Sequence, residues 1–492
     1  MYRLLLYGLL LVAVISVAGA GFKIINFSWY ELLLSAGILV GSCYVFNSVF
    51  SRIYGADSHF ESTVITALIL FFIFSPPHTL SETLILVLVA ALAMASKYVL
   101  AYRQRLIANP AAVAAVVISL LGLGSASWWV ASPFMAAFVA LLGLVTLRKI
   151  RRFTMVGSFF VISFAVILAK TAMSGPITPT SAKVIILSWP LLFMGTIMLT
   201  EPLTMPPRFR AQIIYACVVG FLFTSGLHAG RFSATPEVAL VIGNIGAFFT
   251  SVRQRVQLCL QSKRELASGI WEFSFLPVRP FTFLAGQYAD LVVPHKKIDN
   301  RGNRRMFTIA SSPDEPSVLF GMKSGMPSSS FKTALMSMNN GDFIYSNHIA
   351  GDFSMPKNSQ AKLLFVAGGI GVTPFRSMLQ HIVDTQIQRD IVVLYVVSNP
   401  KEFVYTDVMQ AAQQFGVKTV YILSVDFAHI PEGWQWETGH IRKDLLNRHV
   451  ADLNDRTCYI SGPDTMVKAV KKTLITVGVK RRAIKTDYFT GY

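Results

Sequence analysis

Acidic side chains nearly vanish from the first half of this 492-residue chain: residues 1 to 250 hold six Asp and Glu, with Asp57 the lone aspartate, against fifteen Lys and Arg. Residues 251 to 492 hold 20 acidic and 29 basic side chains, the density of an ordinary soluble domain. That contrast excludes a single soluble enzyme and implies an apolar half followed by a water-soluble one. Histidine is also scarce. The first half has only His59, His78 and His228, all in or beside expected loops, which excludes two haems each held by paired histidines. The four cysteines, Cys43, Cys217, Cys259 and Cys458, form no CxxC pair, so neither an iron–sulfur cluster nor a zinc site is expected, and no metal site of another kind is indicated. The net charge of +18 carries no nucleic-acid signal, because the basic residues sit in short loops of the first half or alternate with acids in the second.

What fills the first half is hydrocarbon. About ten apolar stretches approach the length needed to cross roughly 30 Å of bilayer, near 3–20, 28–49, 61–75, 80–97, 110–124, 129–147, 154–173, 184–200, 211–227 and 237–251. Assigning loops alternately to two faces puts eleven basic residues on one side, Arg105 among them, and Lys23, Lys170, Lys183 and Arg231 on the other. The basic-rich face is then cytoplasmic, and the soluble half emerges on it. The expectation is an integral protein of the cytoplasmic (inner) membrane, with the lipid bilayer as its first partner and an uncleaved first helix. Counterparts recur five spans apart: FSPPHTL (74–80) with LTEPLTMPP (199–207), and ANPAAVAAVV (108–117) with ATPEVALVIG (234–243). An odd offset places counterparts on opposite faces, the signature of an inverted repeat.

From Val256 the pattern becomes short alternating strands, which predicts an antiparallel β-barrel; from about Lys362, strands such as LLFVA and IVVLYVV alternate with helices, which predicts a parallel α/β sheet. The expected organisation is a polytopic helical domain over 1–252, a barrel over 253–355 and an α/β domain over 356–492. In RRMFTIASSP (304–313), Arg305 offers a fork of donors for a diphosphate, Phe307 a flat face for a ring system and Thr308 a hydroxyl for a flavin edge. In LLFVAGGIGVTPF (363–375), Gly368, Gly369 and Gly371 let backbone approach a ligand, while Thr373 and Pro374 open a helix whose N-terminus attracts phosphate. YISGPDTMV (459–467) repeats that design, and two glycine turns at the carboxyl ends of parallel strands define a crevice.

The order and spacing of these pieces resemble the ferredoxin-NADP reductase superfamily over residues 253 to 492. The resemblance implies that FAD is bound by Arg305, Phe307 and Thr308, by Gln287 and Tyr288 of FLAGQYADLVVP, and by Gly325, Ser328, Ser329 and Ser330 of GMPSSSF. It implies that NAD(P)H is bound by Gly368, Gly369, Gly371, Thr373, Pro374, Ser461, Gly462 and Pro463, with serine where the family often has cysteine. Thr308, Ser461 and Phe489, the last in the closing IKTDYFTGY, are then nearest the reacting rings. Lys401 is a candidate for the 2′-phosphate of NADPH.

The segments RLIANPAAVAAVVISLLG (105–122) and FMGTIMLTEPLTMPPRFR (193–210) resemble the membrane-embedded, flavin-carrying components of the Rnf complex and of the sodium-pumping NADH:quinone oxidoreductase, with Glu201 where that family has aspartate. This resemblance implies flavin-based electron transfer in the membrane, coupled in that family to cation movement. It places Asn109, Thr200 and Glu201 at a flavin or cation site. The family's covalent FMN motif is missing, so a noncovalent FMN or riboflavin, a separate flavinylated acceptor outside the membrane, or a quinone is expected in its place. A second reading keeps the helices as a tether for a ferredoxin or flavodoxin reductase, and a third makes the chain a transporter whose reductase half senses nucleotide state.

Overall fold

Most of the described apolar runs of the first half close their backbone hydrogen bonds as helices, the form hydrocarbon favours. The computed structural model describes residues 2–55, 60–102, 105–174, 190–229, 232–250, 255–299, 302–325, 328–424 and 436–489, divided between two units, Met1–Gln254 and Arg255–Tyr492.

In the first unit one order of elements occurs twice. The first pass runs α1 (Tyr2–Gly21), α2 (Trp29–Ile53), α3 (Phe60–Ile73), α4 (Leu80–Val99), a hairpin of β1 (Ala101–Tyr102) with β2 (Arg105–Leu106), and α5 (Pro110–Leu120). The second runs α6 (Pro133–Ile150), α7 (Phe153–Ser174), α8 (Leu191–Phe193) continuing as a π-turn over Met194–Met198, α9 (Phe209–Ser225), a hairpin of β3 (His228–Ala229) with β4 (Phe232–Ser233), and α10 (Pro236–Phe249). Five helices are long and apolar enough to cross a membrane by length and composition: Arg3–Gly21, Trp29–Ile53, Leu80–Val99, Pro133–Ile150 and Phe153–Met173. Four of the expected spans give shorter apolar helices, at Phe60–Ile73, Pro110–Leu120, Phe209–Ser225 and Pro236–Phe249. The expected span 184–200 is described from residue 190 onward, where it gives only the three-residue α8 and the π-turn.

Helix α3 ends deep in protein, and its orphan carbonyls find partners there. Trp129 Nε1 donates to the carbonyls of Phe71 (2.6 Å) and Phe74 (3.0 Å), and the amides of Ser127 and Trp128 donate to Ile73 O at 2.8 and 3.0 Å. The end of α3 meets the end of α8 through Phe72 and Phe193, with ring centroids 5.6 Å apart. Arg105, expected among the loop charges, is instead buried within the first hairpin.

The second unit begins with six strands: β5 (Val256–Ala267), β6 (Ile270–Pro277), β7 (Tyr288–Val292), β8 (Arg304–Thr308), β9 (Val318–Lys323) and β10 (Phe343–Ala350), with α11 (Ser330–Ser337) before the last. Their order is β8-β7-β10-β5-β6-β9, antiparallel throughout. The chain leaving β8 closes the ring on β9 by the Ile309–Phe320 bridge and by Ala310 N donating to Leu319 O at 2.8 Å. This is a barrel because no long edge is left open.

The remainder is a six-stranded parallel sheet ordered β14-β13-β12-β11-β15-β16, from β11 (Leu363–Gly368), β12 (Ile391–Val397), β13 (Val417–Leu423), β14 (Trp436–Thr438), β15 (Thr457–Pro463) and β16 (Ile484–Phe489). Helices α12 (Thr373–Thr385), α13 (Thr406–Ala412), α14 (Lys443–His449) and α15 (Asp464–Thr476) cover it. Every residue of β11 is buried, as a central parallel strand requires. Two apolar clusters lie on opposite faces: Phe365 and Phe375 belong to one, Leu364 and Leu474 to the other. The chain leaves β11 toward β12 and later returns to its other side as β15, so a crevice opens at their carboxyl ends.

Candidate functional site

The turn after β11 is built for close approach. Gly369 has φ +53°, a left-handed conformation that a side chain disfavours, and a Cβ on Gly371 would lie 2.5 Å from Ser461 O and 2.6 Å from Gly462 Cα. The two glycine turns therefore sit directly against each other, Gly371 and Gly462 buried and Gly369 half-buried at their margin. Thr373 is buried, its hydroxyl donating to Ile370 O at 3.2 Å, and Pro374 occupies the first turn of α12. Pro463 lies at the end of β15 and is exposed.

Three side chains from three strands converge at this crevice. Ser461 on β15 is in register with Asp487 on β16, and Asp487 is hydrogen-bonded to Thr308 at the end of β8. Burial pushes the Asp487 carboxyl up to about 6, against the opposing effect of the Thr308 hydrogen bond. Ser461 Oγ is fully buried and has no hydrogen-bond partner among the described residues. At this place beside the glycine turns, that hydroxyl is available to a ligand group. The family resemblance implies that Ser461 and Thr308 lie near the reacting rings but does not single out Asp487. Its signal is one carboxylate in IKTDYF, on the same strand as Phe489. The backbone of Phe489 pairs in register with Pro463, while its side chain lies outside the described residues.

Pleating puts Arg305 and Phe307 on one side of β8 and Thr308 on the other. Phe307 stacks on Phe331 at 5.7 Å, and the Arg305 guanidinium lies 5.5 Å from the same ring, donating to Gly302 O (3.2 Å) and Arg304 O (2.7 Å). Gln287 supports backbone: its Nε2 donates to Gly351 O at 3.1 Å and its Oε1 accepts from Leu284 N at 2.9 Å. Tyr288 is half-buried, paired in register with Thr308. Gly325 faces open space, and residues 326 and 327 lie outside the described set. Ser328 to Ser330 open α11, where Ser329 Oγ accepts from Lys332 N at 3.2 Å and Asp299 Oδ2 accepts from Ser330 N at 3.0 Å. A diphosphate at that helix end meets a carboxylate already in place. The open glycine, the first turn of α11 and the arginine fork together fit an FAD diphosphate once Asp299 yields Ser330 N. Lys401 is exposed, beside a turn in which its amide donates to Asn399 Oδ1 at 3.0 Å.

In the first unit Asn109 and Glu201 meet. Asn109 caps α5, its Oδ1 accepting from the amides of Ala111 (3.0 Å) and Ala112 (3.2 Å), while its Nδ2 donates to Glu201 Oε2 at 2.7 Å. Asn244 of α10 joins them: its Oδ1 accepts from Asn109 N at 2.9 Å and its Nδ2 donates to Tyr215 Oη at 2.9 Å. Thr200 stands apart, donating to Thr196 O and Ile197 O within its own turn. Sequence reasoning does not single out Asn244 or Tyr215, since an asparagine and a tyrosine inside apolar helices carry no motif. Among the described residues no group of three or more His, Cys, Asp and Glu side chains is arranged to hold a metal ion.

Comparison with known proteins bears on the second unit. Residues 365–472 match the oxidoreductase NAD-binding domain family. The chain is 24% identical over 208 residues to the reductase component 1 of terephthalate 1,2-dioxygenase from Comamonas sp, covering 42% of this chain and 59% of that protein. It is 26% identical over 251 residues to the reductase component of propane 2-monooxygenase from Rhodococcus jostii, covering 50% and 65%. A solved Amycolatopsis cytochrome P450 reductase shares 18% identity over 48% of this chain and 70% of its own, with a TM-score of 0.42. The chain thus spans roughly three-fifths of the curated relatives it matches. With the closed barrel, the parallel sheet and the paired glycine turns, the C-terminal half is similar to the ferredoxin-NADP reductase-like FAD- and NAD(P)-binding superfamily.

Proposed function

We propose that this protein is a membrane-bound, FAD-dependent NAD(P)H oxidoreductase that takes electrons from cytoplasmic NAD(P)H and passes them into or across its helical half to a flavin or quinone acceptor. The observation that carries the reading is the meeting of Thr308, Asp487 and Ser461 beside the paired glycine turns. The turn at Gly368 to Pro374 binds the dinucleotide diphosphate through backbone amides and the start of α12. Ser461 offers its unpaired hydroxyl to the nicotinamide end, and Thr308, oriented by Asp487, offers its hydroxyl to the flavin edge. Arg305, Phe307 and the start of α11 hold the rest of the FAD. FAD, when bound, supplies the exchange of a two-electron donor for one-electron acceptors.

In the helical half, the Asn109–Glu201–Asn244–Tyr215 cluster supports the reading that these helices conduct rather than only anchor. Carboxylates and amides inside apolar helices are costly unless they serve a path or a site, and a π-turn leading into Thr200, Glu201 and Pro202 is a common functional device. The repeated order of elements favours a noncovalent FMN or riboflavin, or a coupling cation, held where the two passes meet. Cofactor extraction and NADH- or NADPH-dependent dye reduction by the purified protein test the proposal. Bound FAD with dye reduction supports the reductase, and a second flavin supports conduction. Absence of FAD, with no reduction after FAD is added, overturns it.

A further inference from the structure

Helix α12 serves two partners at once. Its N-terminus closes the Gly368–Pro374 turn, and its next residues fasten onto barrel segment 310–315, which runs on directly from β8 and Thr308. Arg376 Nη1 donates to Ala310 O at 3.2 Å, and its guanidinium grips Glu315 with two donors, Nη2 to Oε1 at 2.9 Å and Nη1 to Oε2. Glu315 is itself held, since its Oε2 accepts from Ser312 N at 2.6 Å. Beside it, Ser377 Oγ donates to Ser311 O at 2.5 Å and accepts from Gly286 N at 3.3 Å, and His381 Nδ1 lies 2.5 Å from Asp314 Oδ2. Arg376 is only 8% exposed, and its guanidinium lies 5.8 Å from the Tyr405 ring centre. A surface ion pair would contribute little. This pair has a buried arginine and a half-buried glutamate, is forked, and is set between the two nucleotide-binding domains of the second unit, where a wrong partner geometry is costly.

We propose that Arg376 is a positioning residue for hydride transfer. Through Glu315 and the Ala310 carbonyl it fixes the nucleotide-binding turn relative to the strand that ends in Thr308, and thereby sets the approach of the dihydronicotinamide to the flavin. The inference rests on the NAD(P)H-to-FAD reading above. Transfer over a short, directed gap is far more sensitive to a displacement of the donor than binding is.

The test uses the full chain in detergent, with anaerobic rapid-mixing measurement of flavin reduction by NADH and NADPH. Arg376→Lys keeps the charge without the fork, and Glu315→Gln keeps the shape without the charge. Both are expected to retain FAD content and nucleotide affinity within about threefold, while the limiting rate of flavin reduction falls by about tenfold or more, with a weaker long-wavelength charge-transfer band. The double variant should be no slower than the worse single one, as for two groups acting as one unit. An unchanged limiting rate, or a loss of rate matched by an equal loss of FAD or nucleotide binding, overturns the proposal. If the wild-type flavin is reduced by neither nucleotide, the functional reading fails first, a result distinct from variants that match an active wild type.

Discussion

Replacing Asp487 with Asn should raise the stability of the second unit at neutral and alkaline pH and change it little near pH 4. The folded carboxyl is pushed up to about 6 from its ordinary value of 3.8. A group raised in the folded state binds more protons there than in the unfolded chain, so folding is weakened as the pH climbs from about 4 to 6 and stays weakened above. A difference of about two pKa units corresponds to about 3 kcal/mol at most. The residue is half-buried by its surface exposure, and screening by solvent reduces the figure to about 1.5 kcal/mol. For a unit of this size that is about 3 to 6 °C. Release of FAD, separated from FMN and riboflavin by chromatography of samples drawn during heating of the full chain, reports on this unit. The expected result is a higher release temperature for Asp487→Asn at pH 8, a smaller gain at pH 5 and none near pH 4. An equal shift at every pH, or a lower release temperature at pH 8, would refute the argument that burial of an ionised Asp487 is the cost.

Gly371→Ala drives a methyl group into Ser461 O and Gly462 Cα; we expect a loss of about 1–3 kcal/mol and a raised KM for NAD(P)H in dye reduction, with FAD content unchanged. Asp299→Asn removes the negative charge that holds Ser330 N, and titration of the FAD-free protein should show tighter FAD binding by several-fold. Glu201→Gln keeps the shape of the partner of Asn109 but not its charge; electron delivery beyond the FAD should fall while NAD(P)H-dependent reduction of a soluble dye is unaltered, and equal activity in both assays would return Glu201 to a passive role.

Long-range periodicity makes much of this architecture legible. Buried parallel strands such as IVVLYVV are unbroken apolar runs, and the described strand Ile391–Val397 coincides with that run. Prolines at helix starts mark α5 and α10, because proline is suited to a first turn. The two hairpins at 101–106 and 228–233 leave no trace in the sequence, since two-residue strands cannot display alternation. Arg105 is misread for the same reason: a charge between apolar runs looks like a loop charge unless the hairpin that buries it is known. Asp487 and Arg376 become visible only when the barrel and the sheet are seen together, because their partners Thr308 and Glu315 are far away in the chain.

The central claim is that electrons entering from NAD(P)H reach the helical half. Inside-out vesicles containing the protein, supplied outside with NADH or NADPH and loaded with an impermeant electron acceptor, test it most directly. The account predicts reduction of the enclosed acceptor that depends on the nucleotide and is lost in Glu201→Gln. An external dye that is reduced while the enclosed one stays oxidised, with or without added quinone or flavinylated acceptor, would contradict it and leave the helices as an anchor.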